Sequence, residues 1–149
     1  MIVNIKDYQV EVDEEDVHIV NGHGWCLHNS SKNGRFYFQA NVKGKRVLLH
    51  RMIMNAPKGQ DLDHADGNTL NNRKRNLRFS TTSQNLFNRG KQRNNTSGFK
   101  GVTRNHKRWM AQMEHMGKLI YLGTYDTPME AGEAYKVAAI RIAGEFARW

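Results

Sequence analysis

The sequence predicts an α+β protein that folds as two small units. Apolar and polar residues alternate over residues 8–12 and 36–43, which is typical of half-buried strands. Helix-starting and helix-ending signals bracket residues 80–88 and 127–144. A polar stretch at residues 91–97 separates the two sets of patterns, and a chain of 149 residues suffices for two units with modest cores.

The first fifty residues are predicted to form a β-rich support that leads into a short helix. A tight turn at residues 43–45 precedes an apolar run at 46–49. Helical spacing of apolar residues then begins and stops before Pro57; its members are Leu49, Met52 and Ile53.

The middle of the chain predicts a strand, a turn and a helix in that order. Residues 61–64 have the pattern of a short strand, and Asp66-Gly67 is a strong turn signal. The helix at 80–88 begins with a capping-box pair, Thr81 and Gln84, so Asn85 is expected in its first turns.

The last third predicts a three-stranded sheet followed by one helix. The strand candidates are residues 99–103, 109–114 and 119–121. The helix begins with Thr127 as N-cap and ends at Gly144. Its predicted core-facing residues are Ala131, Ala134, Tyr135, Ala138 and Ile142.

Charge indicates a polyanionic partner. The net charge is +9, and residues 67–113 contain no Asp or Glu. Because phosphate attraction carries no information on base or sugar, this charge alone fits DNA, RNA or anionic lipid. Cys26 is the only cysteine, which excludes an intrachain disulfide and favours a reducing intracellular compartment. The sequence predicts neither a signal peptide nor a membrane span.

Asp63, His64, Asn76 and Asn85 carry the chemistry expected of a one-metal nuclease. Hydrolysis of a phosphodiester needs a base for water, a cation for the charge on the leaving oxygen, and groups that hold both. An imidazole is able to accept a proton at neutral pH, and carboxylate and carboxamide oxygens suit a magnesium-class cation. An isolated Asp-His pair in a chain of seven histidines is more often structural than catalytic. The surrounding residues therefore decide between these two interpretations.

Those surroundings resemble the HNH motif of homing endonucleases. The match covers about residues 46–88 and runs through Leu49-His50-Arg51, Asp63-His64-Ala65-Asp66-Gly67-Asn68, Asn72-Arg73, Asn76-Leu77-Arg78 and Gln84-Asn85. The resemblance implies a ββα-metal fold. It also implies that His64 is the general base, that Asn76 braces the loop, and that Asp63 and Asn85 bind one divalent cation, magnesium or alternatively manganese. Ala65 and Asn72 stand where a larger aliphatic residue and Asp are common.

The last third resembles the DNA-binding domain of plant ethylene-response factors. The matching segments are Gly98-Phe99-Lys100-Gly101-Val102, Trp109-Met110-Ala111, Leu122-Gly123-Thr124-Tyr125 and the helix from Glu130 to Ala147. The resemblance implies that the sheet enters the major groove. Several plant arginines are replaced here, among them by Thr103, Asn105 and Glu114, so the plant target sequence is not carried over. For Trp109, a core position and a DNA contact remain equal alternatives.

We therefore predict a nuclease domain at 1–90, a basic linker at 91–97 and a DNA-binding domain at 98–149. The partner is double-stranded DNA, without a membrane or an obligate protein partner, and a monomer is favoured. The expected setting is the soluble interior of a prokaryotic or virus-infected cell. The predicted DNA contacts are Arg73, Arg75, Arg78, Arg89, Lys91, Arg93, Lys100, Thr103, Arg104, Asn105, Lys107, Arg108, Trp109, Gln112, Glu114 and Tyr121.

Two alternatives accompany this prediction. The first is a non-catalytic DNA-binding protein on an HNH scaffold, against which the presence of Asp63, His64 and Asn85 argues. An RNA-binding domain has less support because no ribonucleoprotein aromatic motif is present. Removal of residues 95–149 is expected to weaken DNA binding and reduce its specificity, and to leave slow metal-dependent cutting. His50 is interpreted as a helix-face histidine satisfied by a neighbour, rather than a substrate contact.

Overall fold

The computed structural model describes residues 1–30 and 35–149. Its contacts divide the chain into two compact units, Met1–Ser80 and Thr81–Trp149. Both units combine helices with small antiparallel sheets, which confirms the α+β class. Within the described ranges, no helix is long and apolar enough to cross a membrane.

Over residues 1–30 and 35–80, the first unit contains three small antiparallel sheets and two short α-helices. Its strands are β1 (Ile2–Ile5), β2 (Tyr8–Glu11), β3 (Cys26–Ser30), β4 (Arg35–Val42), β5 (Lys45–Leu48), β6 (Asp61–His64) and β7 (Leu77–Ser80), and its helices are α1 (Val17–Asn21) and α2 (Leu49–Ile53). β1 pairs with β2, β4 lies between β3 and β5, and β6 pairs with β7. The strand β1, the helix α1 and the strand β7 were not predicted from residue patterns.

One hydrophobic core holds the first unit together. The alternation along β4 buries Phe38 and Ala40, as the sequence predicted. α2 follows β5 directly and contributes Leu49 and Ile53 to the same core. Removing such apolar area from water is the main favourable term in folding. β4 and α2 both flank His64. This hydrophobic core therefore supports the two elements that border the imidazole.

The second unit is a three-stranded antiparallel sheet with helices. Its elements are α3 (Thr82–Asn88), β8 (Val102–Asn105), β9 (Arg108–His115), β10 (Lys118–Tyr125) and α4 (Pro128–Ala143), with β9 in the centre of the sheet. Both predicted capping boxes are present, at Thr81 with Gln84 and at Thr127 with Glu130. Because Thr81 is the N-cap, Ser80 belongs to β7, and the predicted helix start at residue 80 was early.

Three predictions for the second unit were inaccurate. β8 begins at Val102, because Gly101 has a φ of +70° and a Cβ there would lie 2.3 Å from the Tyr135 ring. β10 continues to Tyr125 through a bulge after Tyr121, so it is longer than predicted. Ile142, predicted to face the core, is exposed.

The short helix α3 packs within the second unit. Phe87 is 3% exposed and shares a core with Met113, Tyr135 and Ala139. The Nζ of Lys100 donates to the carbonyls of Leu86, Phe87 and Arg148, and so satisfies the open C-terminal end of α3. Burial is the largest cause that lowers the pKa of Lys100 to about 8, and the positive charges of Arg148 and Arg89 lower it further. Residues up to Ser80 therefore pack in the first unit, and residues from Thr81 pack in the second. The domain boundary was predicted further along the chain, at residue 90.

Candidate active site

The hairpin of β6 and β7 presents Asp63 and His64 at its end. Asp63 pairs in register with Arg78, and His64 with Leu77. Both side chains are buried, at 3% and 5% exposure. Buried polar groups of this kind require specific partners, because desolvation without a hydrogen bond is costly.

Asp63 is held by an ion pair with Arg78. The guanidinium donates from Nε at 3.2 Å and from a terminal nitrogen at 3.0 Å, and both bonds go to Oδ2 of Asp63. This pair fixes the carboxylate and neutralises much of its charge. Arg78 was predicted to contact DNA; in the structure its guanidinium lies against Asp63, where it orients the residue expected to bind metal.

His64 is oriented by Asn72, which is 2% exposed. The Nδ2 of Asn72 donates to the carbonyl of Thr69 at 3.3 Å, so its Oδ1 faces His64 Nε2 at 3.4 Å as an acceptor. That arrangement places the imidazole proton on Nε2 and the lone pair on Nδ1. In the sequence, Asn72 stood out only because it replaces a common Asp, and its position inside the motif was the available signal for this role.

Two rings border the His64 imidazole. The His50 ring meets it edge to face at a centroid distance of 5.1 Å, and the Tyr37 ring lies 5.5 Å from His50 and 6.3 Å from His64. Burial lowers the pKa of His64 from its usual value, although the hydrogen bond that His64 donates to Asn72 and the nearby carboxylates of Asp66 and Asp63 act to raise it. Burial, with the charges of His64 and Arg51, lowers the pKa of His50 to about 3. Both imidazoles are therefore neutral at neutral pH, and the sequence held no signal for Tyr37.

Acid is expected to destabilise the first unit through His50. Its folded pKa lies below the unfolded value near 6.5, so its contribution is complete above pH 6.5 and is lost as pH falls towards 3. The loss is about 2 kcal/mol at pH 5. Urea unfolding of His50→Gln between pH 7 and 5 should show a flatter pH dependence, whereas the exposed control His18→Gln should retain the full slope. Equal slopes in all three proteins would contradict the assignment.

The loop between β6 and β7 is braced by Asn76. Its Oδ1 accepts from the Asp66 backbone N–H at 3.1 Å, and its Nδ2 donates to Asp66 Oδ1 at 3.0 Å and to the Asn71 carbonyl at 2.7 Å. Burial opposes ionisation of Asp66, but hydrogen bonds from Asn68, Asn71 and Asn76 outweigh it and lower its pKa. The turn that follows His64 is thereby closed on itself.

Asn76→Ala is expected to destabilise this loop by about 1–3 kcal/mol, because it removes three part-buried hydrogen bonds. Denaturant unfolding with circular dichroism measures the change. The exposed linker variant Asn94→Ala is the matched control and should unfold as the native chain does. If Asn76→Ala unfolded at the same denaturant concentration as the native chain, Asn76 would have no bracing role.

The same loop is tied to β2 and the segment after it. The Asn72 N–H donates to the Glu11 carbonyl at 2.7 Å, and Arg73 Nε lies 3.1 Å from Glu11 Oε2. Lys74 bonds Glu15 and lies 3.2 Å from Asp16 Oδ1. Arg73 therefore makes an ion pair with Glu11.

The expected second metal ligand, Asn85, lies in the first turn of α3 in the second unit. The donor set of one carboxylate and one carboxamide suits a hard cation that keeps water and phosphate among its ligands. Among residues 1–30 and 35–149, no group of three His, Cys, Asp or Glu side chains could hold a metal.

The predicted DNA contacts fall into two groups. Some have exposed side chains, namely Arg75, Arg89, Lys91, Arg93, Thr103, Arg104, Asn105, Lys107, Arg108, Glu114 and Tyr121, with Gln112 half-buried. Others are engaged inside the fold, namely Arg73, Arg78 and Lys100. Trp109 packs on the core beneath α4, with Arg104 stacked 4.8 Å from its ring, which favours the core alternative.

A family model described as HNH endonuclease matches residues 47–86, which include β6, the braced loop and β7. Protein 3.8 of Escherichia phage T7 is 33% identical over 95 residues, which cover 62% of this chain and 78% of the phage protein. The chain belongs to the HNH endonucleases. A further relative of this HNH endonuclease, the uncharacterized HNH endonuclease L560 of Acanthamoeba polyphaga mimivirus, is 28% identical over 135 residues, covering 87% of the chain and 67% of that protein.

A third relative matches a shorter part of the HNH endonuclease. The AP2-like ethylene-responsive transcription factor CRL5 of Oryza sativa subsp. japonica is 48% identical over 52 residues, which are 32% of this chain. The chain spans only 8% of that plant factor's length.

Proposed function

We propose that the chain is a homing-type, metal-dependent endonuclease that hydrolyses phosphodiester bonds of double-stranded DNA. The observation that carries this proposal is the adjacent, buried pair of Asp63 and His64, each held by its own side-chain partner. Such preorganisation of a base and a ligand residue is what hydrolytic catalysis requires.

His64 acts as the general base. Its Nδ1 accepts a proton from a water molecule as the water oxygen attacks phosphorus. The bond between phosphorus and the leaving oxygen then breaks, and that oxygen takes up a proton from solvent. Asn72 keeps the imidazole proton on Nε2, and the rings of His50 and Tyr37 restrict rotation of the imidazole.

One divalent cation, magnesium or alternatively manganese, would be held by Asp63 and Asn85 and would supply positive charge opposite the leaving oxygen. Arg78 keeps the Asp63 carboxylate in place for that role. The brace from Asn76 to Asp66 keeps the turn after His64 from opening.

The second unit positions the duplex. Support for this role comes from the exposed cations of residues 89–108 and from the short match to plant transcription factors. Arg75, Arg89, Lys91, Arg93, Lys107 and Arg108 would contact phosphates, which gives affinity without base specificity. We propose that a monomer acts without an obligate protein partner, inside a prokaryotic or virus-infected cell, because two of the relatives are proteins of a phage and of a giant virus.

Plasmid cleavage tests the proposal. Supercoiled plasmid, and DNA carrying sites selected for binding, is incubated with the chain in magnesium, manganese or chelator. Metal-dependent nicked or linear product is expected, and the first product shows whether one strand or both are cut. DNA binding without cutting in either metal, on both substrates, would favour the non-catalytic alternative.

Asn72 offers a sharper test of the base. Asn72→Asp retains an acceptor for His64 Nε2, whereas Asn72→Leu removes it at similar volume. We expect slower cutting in Asn72→Leu, with unchanged DNA affinity, and recovery in Asn72→Asp. Nitrogen-15 chemical shifts of His64 should show the Nε2-protonated tautomer in the native chain and a mixture in Asn72→Leu. An unchanged tautomer in Asn72→Leu would dismiss the orienting role.

A further inference from the structure

The short helix α3 is held by the second unit at both of its ends. At the C-terminal end, Lys100 and the Arg148 N–H both donate to the carbonyl of Phe87. In the N-terminal turn, Ser83 Oγ and His115 Nδ1 lie 3.3 Å apart in a hydrogen bond. The His115 ring also packs against the Phe87 ring, at a centroid distance of 5.8 Å. Because a helix of seven residues is marginal without tertiary contacts, these contacts set its orientation.

His115 is the last residue of β9 and lies on the side of the sheet that faces α4. Strand alternation places it with Ala111 and Met113, which are buried in the cores that include α4 residues. His115 is itself half-buried, and Phe87 belongs to the same core as Met113. The contact with α3 is therefore made from the interior side of the sheet. A substitution at His115 leaves the side chains on the other side of the sheet unchanged.

Helix geometry connects this contact with Asn85. Successive residues of an α-helix are about 100° apart around its axis, because one turn takes about 3.6 residues. Ser83 and Phe87 are four residues apart and share one side of α3, where both contact His115. Asn85 is two residues from each of them, so it projects from the opposite side of the helix. The contact between α3 and His115 therefore fixes the rotation of the helix and, with it, the direction of Asn85.

Resting on the proposed function, in which Asn85 holds the cation, we propose that His115 is a positioning residue for the metal site. Its hydrogen bond with Ser83 keeps α3 in the rotation that presents the Asn85 carboxamide to the cation. His115 acts through α3 and not by contact with the cation. Without this bond α3 samples other rotations, and the cation binds only the competent fraction of chains. The apparent metal affinity falls in proportion to that fraction, whereas saturating metal restores the competent rotation.

Magnesium titrations of single-turnover DNA cutting by the full chain test this inference. His115→Leu and Ser83→Ala should each raise the half-saturating magnesium concentration by about two- to tenfold, the range expected for one lost hydrogen bond. The maximal rate at saturating magnesium should stay close to that of the native chain. His115→Asn keeps a polar group near the position of Nδ1 and should recover much of the magnesium affinity. The double variant should resemble the weaker single variant, because both substitutions remove the same bond.

Manganese alone provides a measurement that does not depend on cutting. Paramagnetic Mn²⁺ broadens the NMR resonances of groups close to it, so the side-chain amide of Asn85 reports on its own distance from the ion. In the full chain without DNA, this amide should broaden at a lower manganese concentration in the native protein than in His115→Leu. The concentration for His115→Asn should lie between those two. Equal concentrations in the native protein and His115→Leu would overturn the inference.

Val102→Ala is the matched control for a general loss of stability, because Val102 is buried in a separate core of the second unit that Phe87 does not join. It should unfold more easily and keep the native magnesium dependence. A native magnesium dependence in both His115→Leu and Ser83→Ala, or an equal change in Val102→Ala, would overturn the inference and leave the proposed function standing. Absence of metal-dependent cutting by the native chain would instead remove the proposed function, and this inference with it.

Discussion

Replacement of His64 by alanine is expected to slow DNA cutting by about 10²- to 10⁴-fold, the usual contribution of a positioned general base. The imidazole is neutral because burial lowers its pKa, and Asn72 directs its lone pair to Nδ1. DNA affinity should stay nearly constant, since the cations proposed to contact phosphates are exposed residues elsewhere. Single-turnover cutting and fluorescence anisotropy measure the two quantities separately.

The control for this variant is His18→Ala, because His18 is exposed on the short helix α1. It should cut and bind as the native chain does. A loss of affinity in His64→Ala as large as the loss of cutting would mean that His64 has a structural role. Unfolding curves of both variants are needed, because His64 contacts two buried rings.

Removal of residues 95–149 is expected to abolish metal-dependent cutting, not merely to weaken binding. From the sequence alone, slow residual cutting by the truncated chain was expected. α3, which carries Asn85, has its buried residue Phe87 in a core with Met113, Tyr135 and Ala139. A helix this short is unstable without such packing, since isolated helices need about 12–15 residues even for marginal stability.

A point substitution separates loss of packing from loss of DNA contacts. Phe87→Ala in the full chain should cost about 3–5 kcal/mol, as expected for a truncated core phenylalanine. DNA cutting by Phe87→Ala should fall, although this variant retains all the surface residues and cations of the sheet that the truncation removes. Met129→Ala is the matched control, because Met129 is exposed on α4. Full cutting by the truncated chain would show that α3 needs none of this core.

Much of this protein was determined by local sequence patterns. Alternation over residues 36–43 predicted β4, because side chains of a strand alternate between its faces regardless of what lies opposite. The two capping boxes predicted the starts of α3 and α4, because the bonds of a cap join residues three apart in the chain. The HNH motif predicted Asp63 and His64 as site residues from their residue types and spacing.

Only the tertiary structure decided which partners these residues have. Arg78 and Lys100 looked like free cations in the sequence, yet one binds Asp63 and the other caps α3. Asn72 meets His64, and Phe87 joins the core of the second unit rather than that of the first. Each of these contacts joins residues brought together by the path of the chain, which periodicity and propensity do not encode. Packing and desolvation select such partners, and both depend on which residues the whole chain brings together as it folds.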